Sequence, residues 1–512
     1  MQGPMTLGHW VRDRGVVTPG RVAIDFLDQP TTYAQLDDRS ERLAAALLAA
    51  GLTRGDRVAT LTTNCPEHVE LFFACAKAGL VLQPINHRLA PAEVAHQLDD
   101  ATPAVLFVAG HQDDLADAAL DETTTEPRRY RLDRAALDEI AASAGDARDA
   151  TVGDDDPLLL VYTSGTTGLP KGAQLTHANC FWTNLAFDRT SDVTTTDVVL
   201  QVLPQFHVGG WNVQPLLAWW KGATVVLEPG FDAARTLDLI ERKGVTTMMG
   251  VPATYLFTAE VEGFADADLS SLRTAVVGGA PMPESLLRTW RDRDVRLVQG
   301  YGLTEAAPNV LCLPTEDAER KLGYAGKPYP HLQVRLVDEH TGDVLDGPAT
   351  GELEVRGPNV FAGYWRNDSA TEAAFHDGWL RTGDVAERDD EGFYRIADRV
   401  KDMYISGGEN VYPAEVETVL HDHPAVVEAA VVGVPDERWG EVGVAYVATR
   451  AEVDADELLD LCRRRLAKYK VPTAVAFTDE LPRSAMNKVL KTELRDLWAH
   501  DEDTSPTDEE QR

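Results

Sequence analysis

Short apolar runs alternate along this chain with stretches whose apolar residues recur every three or four positions. Arg57 to Leu61 reads as a strand, Pro66 to Ala78 as a helix and Val81 to Ile85 as a strand. Pro91 to Asp99 reads as a helix opened by proline, and Ala104 to Val108 as another strand. Such punctuation predicts βαβ units and a mostly parallel sheet with helices on its faces. Residues 111–157 are polar and Asp-rich and read as a variable connection. The alternation then resumes. Val198 to Leu203, Thr224 to Leu227, Val245 to Met249, Leu272 to Val277 and Val295 to Gln299 read as strands. Helices at roughly 212–221, 232–243, 252–262 and 283–293 lie between them.

From about residue 323 the pattern changes to short strands and turns, at Val334 to Val337, Gly351 to Arg356 and Gly392 to Ile396. A charged connection near residue 398 leads to a second unit, built from Pro413 to Leu420, Val426 to Val434, Val444 to Thr449 and Asp454 to Lys468. The expected fold class is therefore α/β. It comprises a large N-terminal domain of layered α/β subdomains, a small β-rich subdomain, and a smaller α+β C-terminal domain, which the resemblance described below implies is mobile.

One stretch, Tyr162-Thr-Ser-Gly-Thr-Thr-Gly-Leu-Pro-Lys-Gly172, is dense in glycine and hydroxyl residues. It follows the hydrophobic run Leu158 to Val161 and precedes a helical pattern opening at Thr176. A strand, a loop of this composition with one lysine, and a helix make a phosphate-binding arrangement. Glycines let backbone N–H groups approach oxyanions, hydroxyls add donors, and the lysine adds a point charge. Lys171 is followed by Gly172, so the spacing of a Walker A loop fails.

This stretch resembles the phosphate loop of the adenylate-forming superfamily, which includes acyl-CoA synthetases, luciferases and peptide-synthetase adenylation domains. Gly278-Gly-Ala280, Tyr301-Gly-Leu-Thr-Glu305, Arg381-Thr-Gly-Asp384, Asp398-Arg-Val-Lys-Asp402 and Pro482 to Lys488 match its further motifs, in its order. The resemblance spans nearly the whole chain and points to the acyl-CoA synthetase and fatty-acid–CoA ligase branch. It implies an N-terminal AMP-binding domain at 1–397, a hinge at 398–402 and a C-terminal domain at 403–500. The acidic tail at 501–512, low in apolar residues, is expected to be disordered.

The implied reaction joins ATP, a carboxylic acid and coenzyme A, giving acyl-CoA, AMP and pyrophosphate through an acyl-adenylate. A carrier-protein thiol or another nucleophile is the alternative acceptor, and an inactive nucleotide-binding scaffold is the non-enzymatic one. Free coenzyme A is favoured because no carrier module is read at the C-terminal end. The resemblance assigns phosphate binding to Thr163, Ser164, Gly165, Thr166, Thr167 and Lys171. Thr304 becomes a phosphate contact and Glu305 the magnesium ligand. Gly278, Gly279 and Ala280, with Gly300, Tyr301 and Gly302, would hold the base. Asp384 would accept the ribose hydroxyls and Arg399 would reach ribose or phosphate. Lys488 would bridge the carboxylate and the α-phosphate, with Asn487 standing where the family usually has glycine. Lys401 would be the hinge, and Gly407 and Gly408 would line the pantetheine tunnel.

Phe206, His207, Trp211 and Asn212 lie in a segment that resembles the lining of the acid pocket. Residues 204–212 contain neither lysine nor arginine, which disfavours a dicarboxylate. Medium-chain, cyclic and aromatic monocarboxylates stay open. The family also admits a homodimer.

Composition narrows the setting. No apolar run reaches the length of a bilayer span, and the N-terminus lacks a basic segment followed by an apolar one. A soluble cytoplasmic protein is expected. Five cysteines show no C-x-x-C pair or metal spacing, so reduced, mostly buried thiols are expected. A net charge of −35 argues against nucleic-acid binding. ATP and coenzyme A are anions too, so positive charge must be concentrated locally at the site. Lysine supplies only 11 of the 48 basic residues. A high-salt cytoplasm and a GC-rich genome both account for this bias. Under the first, molar potassium chloride raises the thermal midpoint and preserves activity. Under the second, the same titration inhibits without stabilising.

Overall fold

Strands buried on both faces carry most of the long-range order. The computed structural model describes residues 3–143, 151–163, 170–280, 282–338, 340–399, 402–406, 409–436, 439–466, 468–484 and 488–504. They divide into two compact units, one of residues 1–334 with 354–381, the other of 335–353 with 382–512.

The first unit holds two large sheets. One runs in the order Gly363–Tyr364, Lys171–Thr176, Pro157–Thr163, Val81–Ile85, Arg57–Leu61, Val105–Val108 and Arg128–Arg131. Its five last-named strands are parallel, while Lys171–Thr176 and Gly363–Tyr364 close one edge antiparallel. The other sheet has nine strands, with Val198–Gln201, Thr224–Leu227, Thr247–Gly250, Thr274–Val277 and Leu297–Gly302 parallel at its centre. Near-continuous apolar runs such as Val105–Val108 suit parallel strands because helices cover both faces. The helix Pro66–Ala78 illustrates the local rules. Proline opens it, left-handed Gly79 ends it, and it packs on Tyr33–Ala49.

Three tryptophans anchor this unit, and each is fully buried with its indole N–H satisfied. Trp211 donates to Gln205 O (2.6 Å), Trp219 to Ala23 O (3.1 Å) and Trp290 to Tyr255 O (3.0 Å).

In the second unit, Val426–Asp436 and Gly440–Thr449 pair antiparallel, and Ala474–Phe477 joins the latter in parallel. Alternate residues of Val426–Asp436 feed two cores: Ala429 and Val431 face one cluster with Val416 and Leu458, while Ala430, Val432 and Val434 face another with Leu481 and Leu494. The nearly continuous apolar stretch Ala429 to Val434 is thereby explained.

Several sequence expectations are corrected. Residues 111–157 are not a plain connection: helices Asp113–Glu122 and Arg134–Ala142 flank strand Arg128–Arg131. That strand escapes notice because it lies at a sheet edge and is mostly exposed. Arg129 pairs with Asp113 and Asp117, and Arg131 with Asp113, instead of entering a core. The helix expected at 212–221 is two, Gly209–Asn212 and Pro215–Lys221, with proline opening the second. Tyr301 lies within strand Leu297–Gly302 rather than after it. The tail begins inside helix Lys491–Thr504, while residues 505–512 lie outside the described residues. Among the described residues, no helix is long and apolar enough to cross a membrane. The five thiols are free, three buried and two partly buried.

Two buried histidines couple this fold to pH. Burial pushes His68 down to about 3 and His177 down to about 4, against about 6.5 when exposed. The unfolded chain therefore binds more protons below pH 6.5. Their contribution is fully present above that value and is lost as pH falls toward 4. Urea unfolding at pH 7 and pH 5 should show this decline, and His177→Gln should flatten it. An unchanged difference between the two pH values would rule out His177 as a source.

Candidate active site

Thr163 and Lys171, the two ends of the glycine-rich loop, sit opposite each other on antiparallel strands. Ser164, Gly165, Thr166 and Thr167 lie outside the described residues. The expected strand–loop–helix order is corrected: Lys171–Thr176 is itself a strand, and helix His177–Asp188 starts only after it. Thr176 caps that helix, its Oγ1 accepting from Asn179 N at 3.1 Å. The loop thus joins a hairpin and does not open a helix. Lys171–Thr176 pairs along its length with Pro157–Thr163, and on its other side with Gly363–Tyr364, almost two hundred positions away, a partner that no local pattern reports.

That distant segment supplies a residue the sequence reading missed. The Tyr364 hydroxyl donates to Glu305 Oε1 at 2.7 Å, and Lys171 Nζ stands 5.3 Å from the centroid of the same ring. Burial, and next the Glu305 carboxylate, push the phenol well above its usual range, so it stays a donor at neutral pH. Glu305 belongs to a short 3-10 turn, Thr304–Ala306, tied at both ends. Asn359, fully enclosed, donates to Ala306 O (2.6 Å) and Asn309 O (2.9 Å), and Phe361 N donates to Glu305 O (2.8 Å). Gly302 permits the turn, since a Cβ there would meet Pro308 O at 2.0 Å.

Gly278 directly follows strand Thr274–Val277, and Gly279 and Ala280 are exposed beyond it. The adjacent strand brings Gly300 and Tyr301 alongside: a Cβ on Gly278 would lie 3.2 Å from Gly300 O. Two separate sequence motifs therefore converge on one sheet end, where open α/β sheets bind ligands.

The second unit brings together two more. Asp384, buried, and Arg399 are direct partners across the ladder of Trp379–Arg388 and Tyr394–Arg399. Lys488 is exposed; Ser484 N donates to its carbonyl at 2.8 Å and its own N–H donates to Ser484 Oγ at 3.3 Å. Lys401, Gly407 and Gly408 lie outside the described residues.

The segment expected to line the acid pocket is largely interior. Phe206 is buried against His87 and His207, with the Arg88 guanidinium 5.8 Å from its ring. His207 is partly exposed. Asn212 is fully buried, accepting from Asn184 and donating to Cys180 Sγ. Trp211 stacks on Phe72 at 4.6 Å and meets His68 edge-on at 5.1 Å. Gly210 allows Pro204 O to approach where a Cβ would stand 2.3 Å away.

Comparison with known proteins decides the family. The AMP-binding enzyme description matches residues 11–365, and its C-terminal domain matches 415–488. The chain belongs to the AMP-binding enzyme family. A feruloyl-CoA synthase of Amycolatopsis sp is 44% identical over 491 residues, covering 96% of this chain and 98% of that one. An indoleacetate–CoA ligase of Aromatoleum aromaticum is 43% identical over 507 residues, covering 97% and 98%. The structure of o-succinylbenzoate CoA synthetase from Bacillus subtilis with its acyl-adenylate intermediate is 36% identical. It matches with a TM-score of 0.86 over 95% of this chain and 97% of that one.

This AMP-binding enzyme is an acid–thiol ligase: it activates a carboxylic acid as its adenylate and transfers the acyl group to coenzyme A. Trp211 gives its pocket segment a test. Its indole is enclosed and hydrogen-bonded, so Trp211→Ala is expected to cost about 3–5 kcal/mol of stability. Relative kcat/KM across an acid chain-length series should stay unchanged. A shift toward bulkier acids at an unaltered melting temperature would instead place the ring in the pocket.

Proposed function

We propose that this ligase acts on a monocarboxylic acid bearing an aromatic ring. The observation that carries the monocarboxylate reading is that Pro204–Asn212 is free of lysine and arginine, which disfavours a second carboxylate on the acid. The names of two relatives, feruloyl-CoA synthase and indoleacetate–CoA ligase, support the aromatic ring. We place the enzyme in the cytoplasm, where ATP and coenzyme A are supplied, as a monomer or homodimer.

In the first half-reaction a carboxylate oxygen attacks the α-phosphorus of ATP and the bond to pyrophosphate breaks. In the second, the thiol sulfur attacks the acyl carbon and AMP leaves. Positioning and charge do most of this work. Lys171, Thr163 and the loop 164–167 hold the β- and γ-phosphates, and Thr304 adds a contact. The base lies across Gly278, Gly279 and Ala280 and between them and Gly300, Tyr301 and Gly302. Asp384 accepts from the ribose hydroxyls, an acceptor-only group facing two donors. Arg399 reaches ribose or phosphate.

Glu305 suits a hard cation: it is a partly exposed carboxylate with one oxygen already held by Tyr364. A magnesium ion bound there would neutralise charge on the phosphates; the Bacillus subtilis o-succinylbenzoate synthetase was solved in complex with ATP and a magnesium ion. The domain boundary is proposed at 398–402, with Lys401 as the hinge by which the C-terminal domain first presents Lys488. Gly407 and Gly408 then line the thiol's path.

Release of AMP from a panel of aryl, medium-chain, long-chain and dicarboxylic acids, with and without coenzyme A, tests the reading. Aryl acids should lead by kcat/KM, and product should require coenzyme A. Preference for a dicarboxylate would refute it and bring Arg88 into the pocket. Lys488→Ala is expected to slow adenylation about 100- to 1,000-fold, as for a lost transition-state donor. Turnover of supplied acyl-adenylate with coenzyme A should be nearly unchanged. Equal losses in both halves would remove Lys488 from the assigned role.

A further inference from the structure

Residues 361–365 touch both halves of the phosphate site within the first unit. Gly363 and Tyr364 pair with Gln174 and Ala173, and Trp365 N donates to Gly172 O at 2.7 Å. The strand that begins with Lys171 is thus held from outside by this short edge strand. On the other side, Phe361 N and the Tyr364 hydroxyl both bond Glu305, one to its carbonyl and one to its carboxylate. The segment is itself anchored. Trp365 Nε1 donates to Asp100 O at 3.1 Å, with the Arg57 and Arg366 guanidinium groups each 5.1 Å from its ring. Tyr364 N donates to Thr371 Oγ1 at 2.9 Å, and the Phe361 ring meets Tyr364 edge-on at 4.9 Å.

We propose that Tyr364 is a positioning residue that sets the phosphate-loop lysine and the metal-binding carboxylate as one unit, through its ring and its hydroxyl respectively. The inference rests on the roles proposed above for Lys171 and Glu305. Its physical basis is that both partners are neutral. A ring face attracts the ammonium without cancelling its charge, so Lys171 stays a full cation for phosphate. A phenol donating to one carboxylate oxygen fixes that group's orientation and leaves its charge in place. Lys171 and Glu305 form no ion pair with each other among the described residues, although both adjoin the same ring. In a protein of net charge −35, a lysine with a carboxylate partner would enter the reaction already neutralised.

Two variants separate the two contacts. Tyr364→Phe keeps the ring and removes the hydroxyl, while Tyr364→Leu removes both. Calorimetric titration with α,β-methylene-ATP at stepped magnesium chloride reads binding without turnover. Tyr364→Phe should need roughly 10- to 100-fold more magnesium for half-maximal nucleotide binding, the usual loss when a ligand's supporting hydrogen bond is removed. Its nucleotide affinity at saturating magnesium should match wild type. Tyr364→Leu should also bind more weakly at saturating magnesium. Glu305→Gln supplies the reference, and adding Tyr364→Phe to it should cause no further shift, because the hydroxyl acts through that carboxylate. This non-additivity can be read even if a single variant melts a few degrees lower. A wild-type magnesium dependence in Tyr364→Phe beside a shifted Glu305→Gln overturns the inference alone. Additive shifts in the double variant overturn it as well. No shift in Glu305→Gln overturns the metal role of Glu305, and the inference with it.

Discussion

Every parallel sheet in this fold must satisfy its backbone groups along both edges, and that need organises the rest. The interior strands are covered by helices and are nearly all apolar, so they have no room for chemistry. Polar function is displaced to strand ends and to the strands that close an edge. Lys171–Thr176 and Gly363–Tyr364 close one sheet antiparallel, and Asn309–Cys312 with Lys327–Pro328 closes the other. Lys171, Tyr364 and the turn holding Glu305 all lie on or beside these closing strands. An unpaired edge is a liability for any sheet. Here the same pairing that removes it also places charged groups at fixed separations.

Charge is rationed the same way. Lys77, Lys221, Lys243, Lys470 and Lys491 are each paired with carboxylates. Lys171 rests instead on an aromatic face. Against a large negative background, a cation keeps its strength for a phosphate only if its resting partner is neutral. The charge available to an anion at this position is therefore a property of local placement, independent of net charge.

Much of this was legible in advance. Arg57–Leu61, Pro66–Ala78, Val81–Ile85 and Thr224–Leu227 have the bounds that apolar periodicity and proline indicate. Each is a local element whose burial is nearly complete, so its pattern is strong. The motif stretches were equally visible, because glycine, hydroxyl and charged residues at fixed spacing stand out from an apolar background. Edge strands were not. Arg128–Arg131 is mostly exposed and Gly363–Tyr364 is two residues long, so neither shows an apolar periodicity in the sequence. Trp211 shows a further limit. A tryptophan beside a proposed pocket reads the same in sequence whether it faces ligand or core, and its enclosure, its bond to Gln205 O and its stacking on Phe72 are visible only in the structure.

What the sequence determined by itself was the local part: which segments form helices and buried strands, which motifs stand out, and which family they match. Those properties depend on side-chain type and short spacing, and a linear chain displays both. The tertiary structure decided the pairings. It set Thr163 opposite Lys171 and Asp384 opposite Arg399, brought Gly278 beside Gly300, and put one tyrosine between Lys171 and Glu305. Hydrogen bonds between backbones far apart in sequence carry no compositional mark. Residue 364 could therefore be assigned to the site only once the sheet had closed.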